Sequence, residues 1–511
     1  MISARPSPPV TGGLSYVTSM PPPFAAEVAA CRAAQEPWAR LGVRDRLRPV
    51  RELRHLLVER ADAVFAAVAA DIGRSAGEVL ATELLPTAAA LKFLERQAAR
   101  VLAPRRIGGR LRPTWLFGCR DAVHRRPWGV VGVIGTWNYP VYLNVGQVAQ
   151  ALVAGNAVLW KPSEYVPQTA DLTHRLFLDA GFPPGLVAKL PTTREAGPLV
   201  AEAEVDHVVF TGSEAVGRRL AGRLGERLVP STLELSGCDA MFVLADANIA
   251  LAARAAWFGV TLNRGQTCIA VRRIFVHRSR YAAFVEALRP LAAGAKPVPL
   301  VTRGQVEQAH ALVTDAVARG ASVLGAAGGE PISALVCASR LTVAPTFLLD
   351  ATADMLVCRE ASFAPVAAVI PFDTVDTALS LAAKCPFGLA ASVFTADARA
   401  AEALAARIPA GHVTVNDAIA PTAHPATPFG GRGSSGWGVT QGAEGLLAMT
   451  TPQAVTVRGG SFRPHLDDAA APDPATADVL GGLLRATHGR TWRDRLRGVA
   501  RLVRGIRRRK K

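Results

Sequence analysis

The chain has 511 residues, of which half are hydrophobic and 19% are charged, so we expect large buried cores in two or more globular domains rather than disorder. Its seven cysteines are scattered without a CxxC pair or a histidine cluster, which argues against a metal site or a disulfide framework and favours a reducing compartment. The net charge of +17 is uneven: residues 485–511 carry twelve Lys/Arg against one acid, so the rest of the chain is only mildly basic.

The N-terminal region predicts a disordered segment followed by helices. Residues 1–24 are rich in Pro, Gly and Ser and are expected to be disordered. They lack a charged-then-apolar secretory signal, and no run in the chain reaches the ~20 apolar residues of a spanning helix, so we expect a cytoplasmic protein. From residue 24 to residue 105, Arg and Glu recur three or four positions apart among Ala and Leu, which indicates helices.

The middle of the chain predicts alternating strands and helices. Val130 to Ile134 and Ala157 to Trp160 are continuous apolar runs, which is typical of buried parallel strands. A short strand at Val208 to Phe210 precedes a helix from Glu214 to Leu224, and a helix from Asn248 to Val260 precedes further alternation. This βαβ-like order predicts an α/β fold.

One thiol stands out among the seven cysteines. The run Gly265-Gln266-Thr267-Cys268 places it after a tight turn and before the apolar segment Ile269 to Val276, where it can face a ligand. Thiolate sulfur is a strong nucleophile toward carbonyl carbon. A single cysteine in an alanine-rich chain is more often a small buried hydrophobe, so this run gains meaning only from residues upstream.

Two upstream residues complete an acyl-transfer constellation. Glu234 lies between two leucines in an apolar run, and burial there would raise its pKa toward that of a general base working near neutral pH. Asn138 follows the strand at Val130 to Ile134, so its amide is presented at a strand end and can donate to an oxyanion. The predicted catalytic residues are therefore Cys268, Glu234 and Asn138.

Six motifs carry a family resemblance. They are Trp137-Asn138-Tyr139-Pro140, Lys161-Pro162-Ser163-Glu164, Phe210-Thr211-Gly212-Ser213, Leu233-Glu234-Leu235, Gly265-Gln266-Thr267-Cys268 and Pro428-Phe429-Gly430-Gly431. In this order and spacing they resemble the NAD(P)-dependent aldehyde dehydrogenase superfamily, from about residue 50 to about residue 457. The segments 413–417 and 433–438 look most like its class-3, fatty and coniferyl aldehyde dehydrogenase branch.

The resemblance implies an aldehyde dehydrogenase-like α/β fold with a Rossmann-type cofactor domain, an α/β catalytic domain and a small β oligomerisation arm. We expect the cofactor domain at residues 25–240, with arm strands near 115–130, and the catalytic domain at 241–425. The remaining parts are a return segment and arm at 426–458, a linker at 459–484 and a basic amphipathic tail at 485–511. A homodimer is expected.

The resemblance also implies a dinucleotide cofactor. We expect NAD, with NADP as the alternative. Glu164 would accept hydrogen bonds from ribose hydroxyls and repel a 2′-phosphate. Gly212 and Ser213 would hold a pyrophosphate at a helix N-terminus. Without the other motifs, Lys161 and Glu164 would be a solvated pair and Ser213 an ordinary N-cap. The predicted cofactor contacts are Trp137, Lys161, Ser163, Glu164, Gly212, Ser213, Gly217, Glu360 and Phe363.

The implied reaction is oxidation of an aldehyde, expected to be hydrophobic, to a carboxylic acid. Cys268 would attack the aldehyde carbon, the Asn138 amide and the Cys268 backbone N–H would hold the oxyanion, and Glu234 would activate the water that hydrolyses the thioester. One departure leaves an alternative open. Where the family has a second acid that binds the nicotinamide-side ribose, this chain has Ala361. Glu360 would take the place of that acid if the loop shifted by one residue. The alternative is a catalytically impaired protein that binds a membrane or a partner.

The C-terminal tail predicts a basic helix from about Thr491. Its apolar residues Trp492, Leu496, Val499, Val503 and Ile506 recur three or four positions apart, on one helical face. Such a stripe among arginines suits an anionic membrane surface, at the inner face of the membrane. The other possibilities are a solvated tail without a partner and nucleic acid, which is less favoured because no aromatic platform accompanies the charges beyond Trp492.

Overall fold

The computed structural model describes residues 22–113, 116–325, 335–460, 466 and 474–509. The chain divides into two compact units. The first consists of the chain up to Val101 together with Pro127–Thr450, and the second of Leu102–Arg126 with Thr451–Lys511. The N-terminal segment expected to be disordered lies outside the described residues up to residue 21.

Helices and strands alternate along the described residues, as an α/β fold requires. The α-helices are α1 Ala25–Arg40, α2 Val43–Glu59, α3 Ala61–Ile72, α4 Ala76–Val79, α5 Leu85–Val101, α6 Tyr142–Ala154, α7 Pro167–Asp179, α8 Ala196–Val200, α9 Glu214–Glu226, α10 Ile249–Thr261, α11 Arg278–Ala293, α12 Arg303–Ala318, α13 Val375–Ala382, α14 Ala398–Ala405, α15 Gly442–Ala448, α16 Pro474–His488 and α17 Trp492–Arg509.

The strands are shorter and more numerous. They are β1 Arg105–Ile107, β2 Cys119–Pro127, β3 Val130–Ile134, β4 Ala157–Lys161, β5 Val187–Lys189, β6 His207–Gly212, β7 Ser231–Leu235, β8 Asp239–Val243, β9 Val271–His277, β10 Val298–Pro299, β11 Ser322–Gly325, β12 Val336–Cys337, β13 Thr342–Val343, β14 Thr346–Leu349, β15 Val366–Phe372, β16 Phe387–Gly388, β17 Ala390–Phe394, β18 His412–Val415, β19 Arg432–Gly433, β20 Gly436–Trp437 and β21 Thr450–Arg458.

A six-stranded sheet has the order β20-β7-β6-β3-β4-β5, parallel except for β20. The predicted apolar strands β3 and β4 are buried along their whole length, which fits strands covered on both faces. β3 pairs with β4 on one side and with β6 on the other. The order of connection therefore reverses between β3 and β6, and ligands bind beyond the carboxyl ends of strands at such a point.

A seven-stranded sheet has the order β11-β14-β15-β9-β8-β17-β18, parallel except for β11. Ala240 and Phe242 of β8 pack into one buried apolar cluster, whereas Met241 and Val243 pack into another. Alternate residues of a strand point to opposite faces, so the two clusters are the cores on the two sides of this sheet.

Two predicted boundaries fall inside secondary-structure elements. The division expected between residues 240 and 241 falls inside β8, which pairs with β9 and β17 and therefore belongs wholly to the seven-stranded sheet. The linker expected at 459–484 is helical from Pro474, because its alanines favour a helix and a second helix packs against it. Residues 461–465 and 467–473 of that segment lie outside the described residues.

The second unit contains a three-stranded antiparallel sheet of order β1-β2-β21 and the helix pair α16 and α17. β2 lies where an arm strand was expected, and α17 begins within one residue of the predicted basic helix. Within the described ranges, no helix is long and apolar enough to cross a membrane. This unit holds 21 Lys/Arg and six Asp/Glu, so it accounts for +15 of the chain's net charge of +17.

Candidate active site

A cleft of about 530 Å³ opens in the first unit beyond the carboxyl ends of β3, β4 and β6. Its volume is within the range of small-molecule and cofactor sites. The cleft lies at the reversal of strand order between β3 and β6, where a ligand site is expected. Ten of the predicted site residues line it together: Trp137, Asn138, Lys161, Ser163, Glu164, Gly212, Ser213, Glu234, Cys268 and Phe363.

The turn before Cys268 has an unusual backbone. Asn263, Arg264 and Gly265 are consecutive residues in the left-handed region, with φ of 50°, 60° and 76°. At Gly265 a Cβ would lie 2.4 Å from the backbone of Ala364, so only glycine fits. This close approach lets the turn deliver the half-buried Cys268 to the cleft.

A buried arginine holds the same turn in place. Arg272 donates to the carbonyls of Gly265 and Ala364, and at 2.8 Å to that of Ser362. It therefore joins the Cys268 turn to the loop that precedes β15. Burial lowers the pKa of Arg272 to about 10, so it remains charged near neutral pH. Sequence reasoning missed it, because Arg272 falls in a strand where arginine is usually exposed.

The Asn138 side chain is buried and held from two sides. Its Oδ1 accepts from Thr136 Oγ1 at 2.7 Å, and its Nδ2 donates to the carbonyl of Gln266 at 3.0 Å, two residues before Cys268. The Asn138 carbonyl accepts in turn from Asn263 Nδ2 at 3.0 Å. A primary amide has two N–H donors, so one is left for an oxyanion beside the thiol.

A buried ion pair supports the turn that carries Asn138. Arg74 Nη1 lies 2.7 Å from Glu83 Oε1 and also donates to the Asn138 carbonyl at 3.3 Å. The other Glu83 oxygen accepts from the backbone N–H groups of Val141 and Tyr142 at 3.1 and 2.8 Å. Burial raises the pKa of Glu83 to about 7, although Arg74 opposes the change. Sequence reasoning missed this pair, since it lies in the N-terminal helical region far from the motifs.

Glu234 is buried next to the carboxyl end of β7, as its apolar neighbours predict. Burial raises its pKa to about 8, and a hydrogen bond from Thr440 Oγ1 to Glu234 Oε1 at 3.1 Å partly offsets the rise. Thr440 comes close because β20 pairs with β7, with Gly436 opposite Glu234. The charges of Glu234 and Asp239 add to burial in raising the pKa of Cys268 above its usual range.

A second, smaller cavity of about 30 Å³ adjoins Thr440. Three buried polar atoms on its lining residues lack a partner: Tyr142 Oη, Gln147 Oε1 and Gln441 Oε1. The charge of Glu234 raises the pKa of Tyr142 further beyond the effect of burial, so this cavity lies within electrostatic reach of the base. These three oxygens and the space around them meet the needs of a buried water, although most of the lining surface is apolar.

The cofactor side of the cleft is built from two loops and a helix N-terminus. Ser213 occupies the N-cap position of α9, but its side chain makes no capping hydrogen bond, so the ordinary N-cap interpretation is wrong. Its hydroxyl and the helix N-terminus can both serve a phosphate. Lys161 Nζ lies 3.2 Å from Glu164 Oε2. The ring of Phe363 meets that of Trp137 edge to face, with centroids 5.8 Å apart.

Two predicted cofactor residues do not line the cleft. Gly217 lies on the buried side of α9, where a Cβ would be 2.4 Å from Leu235, so it permits close packing of helix and strand. Glu360 is exposed at the end of the turn Leu356–Cys358, and Ala361 lines the cleft instead. The loop has therefore not shifted by one residue to bring Glu360 into the lining.

A sequence model described as the aldehyde dehydrogenase family matches residues 22–455. The chain therefore belongs to the aldehyde dehydrogenase family. It is 33% identical over 445 residues to 4,4'-diapolycopene aldehyde oxidase of Methylomonas sp, covering 86% of this chain and 82% of that protein. It is also 33% identical over 456 residues to a Mycolicibacterium smegmatis protein named for a proposed NADP(+)-linked succinate-semialdehyde dehydrogenase activity, covering 86% of each chain.

Solved aldehyde dehydrogenases have the same fold. A Mycobacterium tuberculosis aldehyde dehydrogenase complexed with NAD+ has a TM-score of 0.78 and 30% identity, covering 85% of this chain and 90% of that one. The NAD+ complex of a Bacillus cereus aldehyde dehydrogenase has a TM-score of 0.78 and 30% identity, covering 85% and 88%. The protein is thus an aldehyde dehydrogenase, and these two structural neighbours bind NAD+. Its cleft volume, helix N-terminus and uncommitted Ser213 hydroxyl fit that cofactor.

Proposed function

We propose that this aldehyde dehydrogenase oxidises a hydrophobic aldehyde, aliphatic or aromatic, to the carboxylic acid. The observation that carries the proposal is the surroundings of the thiol. Cys268 packs against a buried apolar cluster of Ile269, Leu389 and Phe429. An aldehyde carbon placed at Cys268 therefore brings its substituent against apolar side chains, where burial of a hydrocarbon is favourable.

The positions of the cationic side chains in the cleft argue against a substrate with a second carboxylate. Lys161, Arg194, Arg219 and Arg223 line the cleft, but they lie on the elements around β4, α8 and α9 rather than in the cluster around Cys268. The two relatives are named for a diapolycopene aldehyde and for succinate semialdehyde, so their names differ on whether the substrate carries a second carboxylate. The apolar cluster favours the first kind of substrate, and with it the branch that resembles class-3, fatty and coniferyl aldehyde dehydrogenases.

Cys268 and Asn138 would carry out the first half of the reaction. Cys268 loses its proton to solvent, and the thiolate Sγ adds to the aldehyde carbon. The remaining Asn138 N–H and the Cys268 backbone N–H stabilise the thiohemiacetal oxygen. Trp137, Glu164 and Ser213 would hold NAD(P)+, which would supply the acceptor for the hydride that leaves the thiohemiacetal carbon. Cys268 then holds the acyl group as a thioester.

Glu234 would carry out the second half. As the carboxylate it accepts a proton from water, whose oxygen attacks the thioester carbon and releases the acid and the Cys268 thiol. Its pKa of about 8 is close to the working pH, as suits a general base. Thr440 holds the carboxylate in place through its hydrogen bond to Oε1.

NAD rather than NADP is the proposed cofactor. Partial burial raises the pKa of Glu164, but a hydrogen bond from its own backbone N–H and the charge of Lys161 outweigh that effect, so the net pKa is lowered. Glu164 is then ionised at neutral pH and repels a 2′-phosphate. The ratio of kcat/KM for NAD to that for NADP tests this, and Glu164→Gln should lower the ratio.

The remaining organisation is proposed from the two sheets and the arm. The six-stranded sheet would form the core of the cofactor domain and the seven-stranded sheet that of the catalytic domain.

β21 is an edge strand with largely exposed residues, and an open edge can pair with another copy of the chain. We propose a homodimer, which light scattering would show as twice 53.7 kDa. The proposed place of action is the cytoplasmic face of a membrane.

The test is NADH formation with a panel of short, aromatic and long-chain aldehydes and succinate semialdehyde. Cys268→Ala should abolish turnover, whereas Cys337→Ala, which changes a cysteine outside the cleft, should not. Phe429→Ala should lower kcat/KM more for a long aldehyde than for a short one, because it removes apolar surface beside the thiol. Highest kcat/KM for succinate semialdehyde would contradict the proposed substrate class. No turnover despite tight NAD binding would favour the impaired protein instead.

A further inference from the structure

We propose that α16 and α17 form a preassembled helical hairpin that docks flat on an anionic lipid surface. The family match ends at residue 455, so the hairpin lies beyond the part of the chain that the family explains. The inference concerns binding alone and does not depend on the proposed reaction. It rests on how the two helices pack, on which side chains the packing leaves exposed, and on charge.

The two helices pack through glycine. A Cβ at Gly498 would lie 2.2 Å from the backbone of Ala486, and one at Gly482 would lie 2.3 Å from that of Leu502. Gly505 approaches the backbone of Val479 in the same way, at 2.8 Å. Small residues at these positions let the two helix backbones come into contact, so backbone packing rather than large apolar side chains holds the hairpin together.

Polar contacts complete the hairpin. Asp478 of α16 accepts from Arg501 Nε at 2.9 Å and from Arg508 Nη1 at 3.0 Å, both on α17. At the start of α17, the Asp494 backbone N–H donates to Thr491 Oγ1 at 3.1 Å, and Thr491 Oγ1 lies 2.7 Å from Asp494 Oδ2. These contacts close the three-residue connection and join the two helices, so the hairpin exists before any partner binds.

The large apolar side chains of the hairpin remain exposed. On α17, Trp492 is 67% exposed and the remaining stripe residues are 41 to 57% exposed: Leu496, Val499, Val503 and Ile506. On α16, Leu480 and Leu484 lie one turn apart and are 56 and 62% exposed. A contiguous apolar stripe left open on a soluble surface indicates a binding face.

The charge beside the stripe selects the partner. Arg493, Arg497, Arg504 and Arg507 of α17 are exposed and lie on the helix turns that carry the stripe. The whole second unit has a net charge of +15. Basic residues next to an exposed apolar stripe match anionic lipid headgroups above an acyl layer, in which such helices lie with the apolar face sunk roughly 5–10 Å.

Other occupants fit less well. A second copy of the hairpin would bring together two surfaces of the same strong positive charge. Nucleic acid would pair with the arginines but would leave the apolar stripe in water. In the described part of the chain no helix can cross the bilayer, so the hairpin would lie on the membrane rather than span it.

The experiment is cosedimentation of the full-length protein with vesicles of phosphatidylcholine alone and with 30% phosphatidylserine, at physiological salt. We expect binding only to the anionic vesicles. Replacing Arg493, Arg497, Arg504 and Arg507 by Gln should weaken that binding at least tenfold. Leu496→Gln with Val503→Gln should weaken it comparably without changing the charge. Brominated lipid acyl chains should quench the tryptophan fluorescence of the vesicle-bound wild-type protein, and the quenching should be smaller in Trp492→Phe.

Matched variants in the first unit control for charge and for apolarity. Arg44, Arg96, Arg100 and Arg399 are exposed there, and replacing all four by Gln removes the same charge. Leu228→Gln changes an apolar side chain that is 90% exposed. Both controls should bind anionic vesicles as the wild type does. Circular dichroism checks that the hairpin variants keep their helices, and aldehyde oxidation without vesicles should be unchanged in every variant.

Three results would overturn the proposal. The first is a loss of vesicle binding when the four arginines are replaced but not when Leu496 and Val503 are replaced. That result would indicate that the protein adsorbs by charge alone. The second is tighter binding to duplex DNA than to anionic vesicles. The third is a change in oligomeric mass when the stripe is made polar, because that assigns the stripe to a second copy of the chain.

Discussion

Two parts of the cleft lining differ in how firmly their side chains are held. Around the thiol, Asn138 takes part in four hydrogen bonds through its side chain and carbonyl, with Thr136, Gln266, Asn263 and Arg74. The loop around Ala361 contributes backbone rather than an acid: the Ala361 carbonyl accepts from Gln308 at 3.0 Å. The groups that would break and form bonds are thus fixed, whereas this loop brings no acidic side chain into the lining to position the cofactor. Substitutions around the thiol should therefore cost more than substitutions in the loop.

The largest effect is expected for Glu234→Gln. The amide keeps the shape and can still accept from Thr440, but it cannot take a proton from water. Loss of a general base typically costs roughly 10²- to 10⁴-fold in rate. The thioester on Cys268 should therefore accumulate after one turnover, visible as a burst of NADH and as an acylated protein in mass spectrometry. Equal loss of burst and steady-state rate would show that Glu234 acts before hydrolysis.

The same variant should change stability in the opposite direction. A carboxyl with a folded pKa of about 8 and an unfolded pKa near 4.5 favours the folded state below pH 4.5 and loses that contribution as pH rises through 8. Gln carries no such dependence. Glu234→Gln should therefore raise the melting temperature above pH 8 relative to the wild type, and the difference should vanish near pH 4.5.

The next largest effect is expected for Asn138→Ala. Removing one oxyanion donor costs roughly 10²- to 10³-fold in kcat. The remaining donor, the Cys268 backbone N–H, lies in a turn that Gly265 and Arg272 hold independently of Asn138. Binding of NAD should thus stay close to normal while kcat falls, as pre-steady-state kinetics would show. Thr136→Ala removes a neighbour of Asn138 but no donor to the oxyanion, and it should cost far less.

Sequence reasoning located the strands better than the boundaries between parts. β3, β4 and β6 are continuous apolar runs, and hydrophobicity alone places them in a sheet. The predicted boundary at 240/241 divides β8, and only the pairing of this strand with β9 and β17 shows which sheet it belongs to. The content of Ala, Asp and Pro predicts a linker before residue 485, whereas the helix Pro474–His488 packs against α17 through backbone contacts at glycine that composition does not reveal.

The catalytic residues were accessible from local sequence, but their supports were not. Glu234 is predicted by a carboxylate between leucines, whereas Thr440 lies 206 residues away and meets it only through the pairing of β20 with β7. The Arg74–Glu83 pair lies 64 and 58 residues from Asn138 and Val141, the residues that its two members contact. Gly217 was counted as a cofactor contact, but its missing side chain serves packing against Leu235. Motifs identify groups that react, and long-range contacts identify groups that position them.

A smaller effect is expected for Thr440→Val, which removes a hydroxyl of nearly the same volume. Its hydrogen bond lowers the pKa of Glu234, so the pKa should rise further without it. A hydrogen bond to a charged group contributes about 1.5–3 kcal/mol, which corresponds to about one pKa unit or more. Since hydrolysis needs the carboxylate, the rising limb of the rate against pH should move upward, with about a tenfold loss at pH 7. Thr440→Ser should restore the profile, and an unchanged limb in Thr440→Val would show that another group titrates.

The smallest effect, and the one that tests the loop around Ala361, is expected for Ala361→Glu. Ala361 lines the cleft and its carbonyl is already held by Gln308, so the new carboxylate can reach the cofactor without a change in the loop. A partly exposed hydrogen bond is worth about 1 kcal/mol, so KM for NAD should fall severalfold. Ala361→Gln separates charge from length, and Glu360→Ala should have no effect because that side chain is outside the cleft. If Glu360→Ala instead raised KM, the exposed acid would be reaching the ribose through loop movement, and the loop would position the cofactor more firmly than its hydrogen bonds indicate.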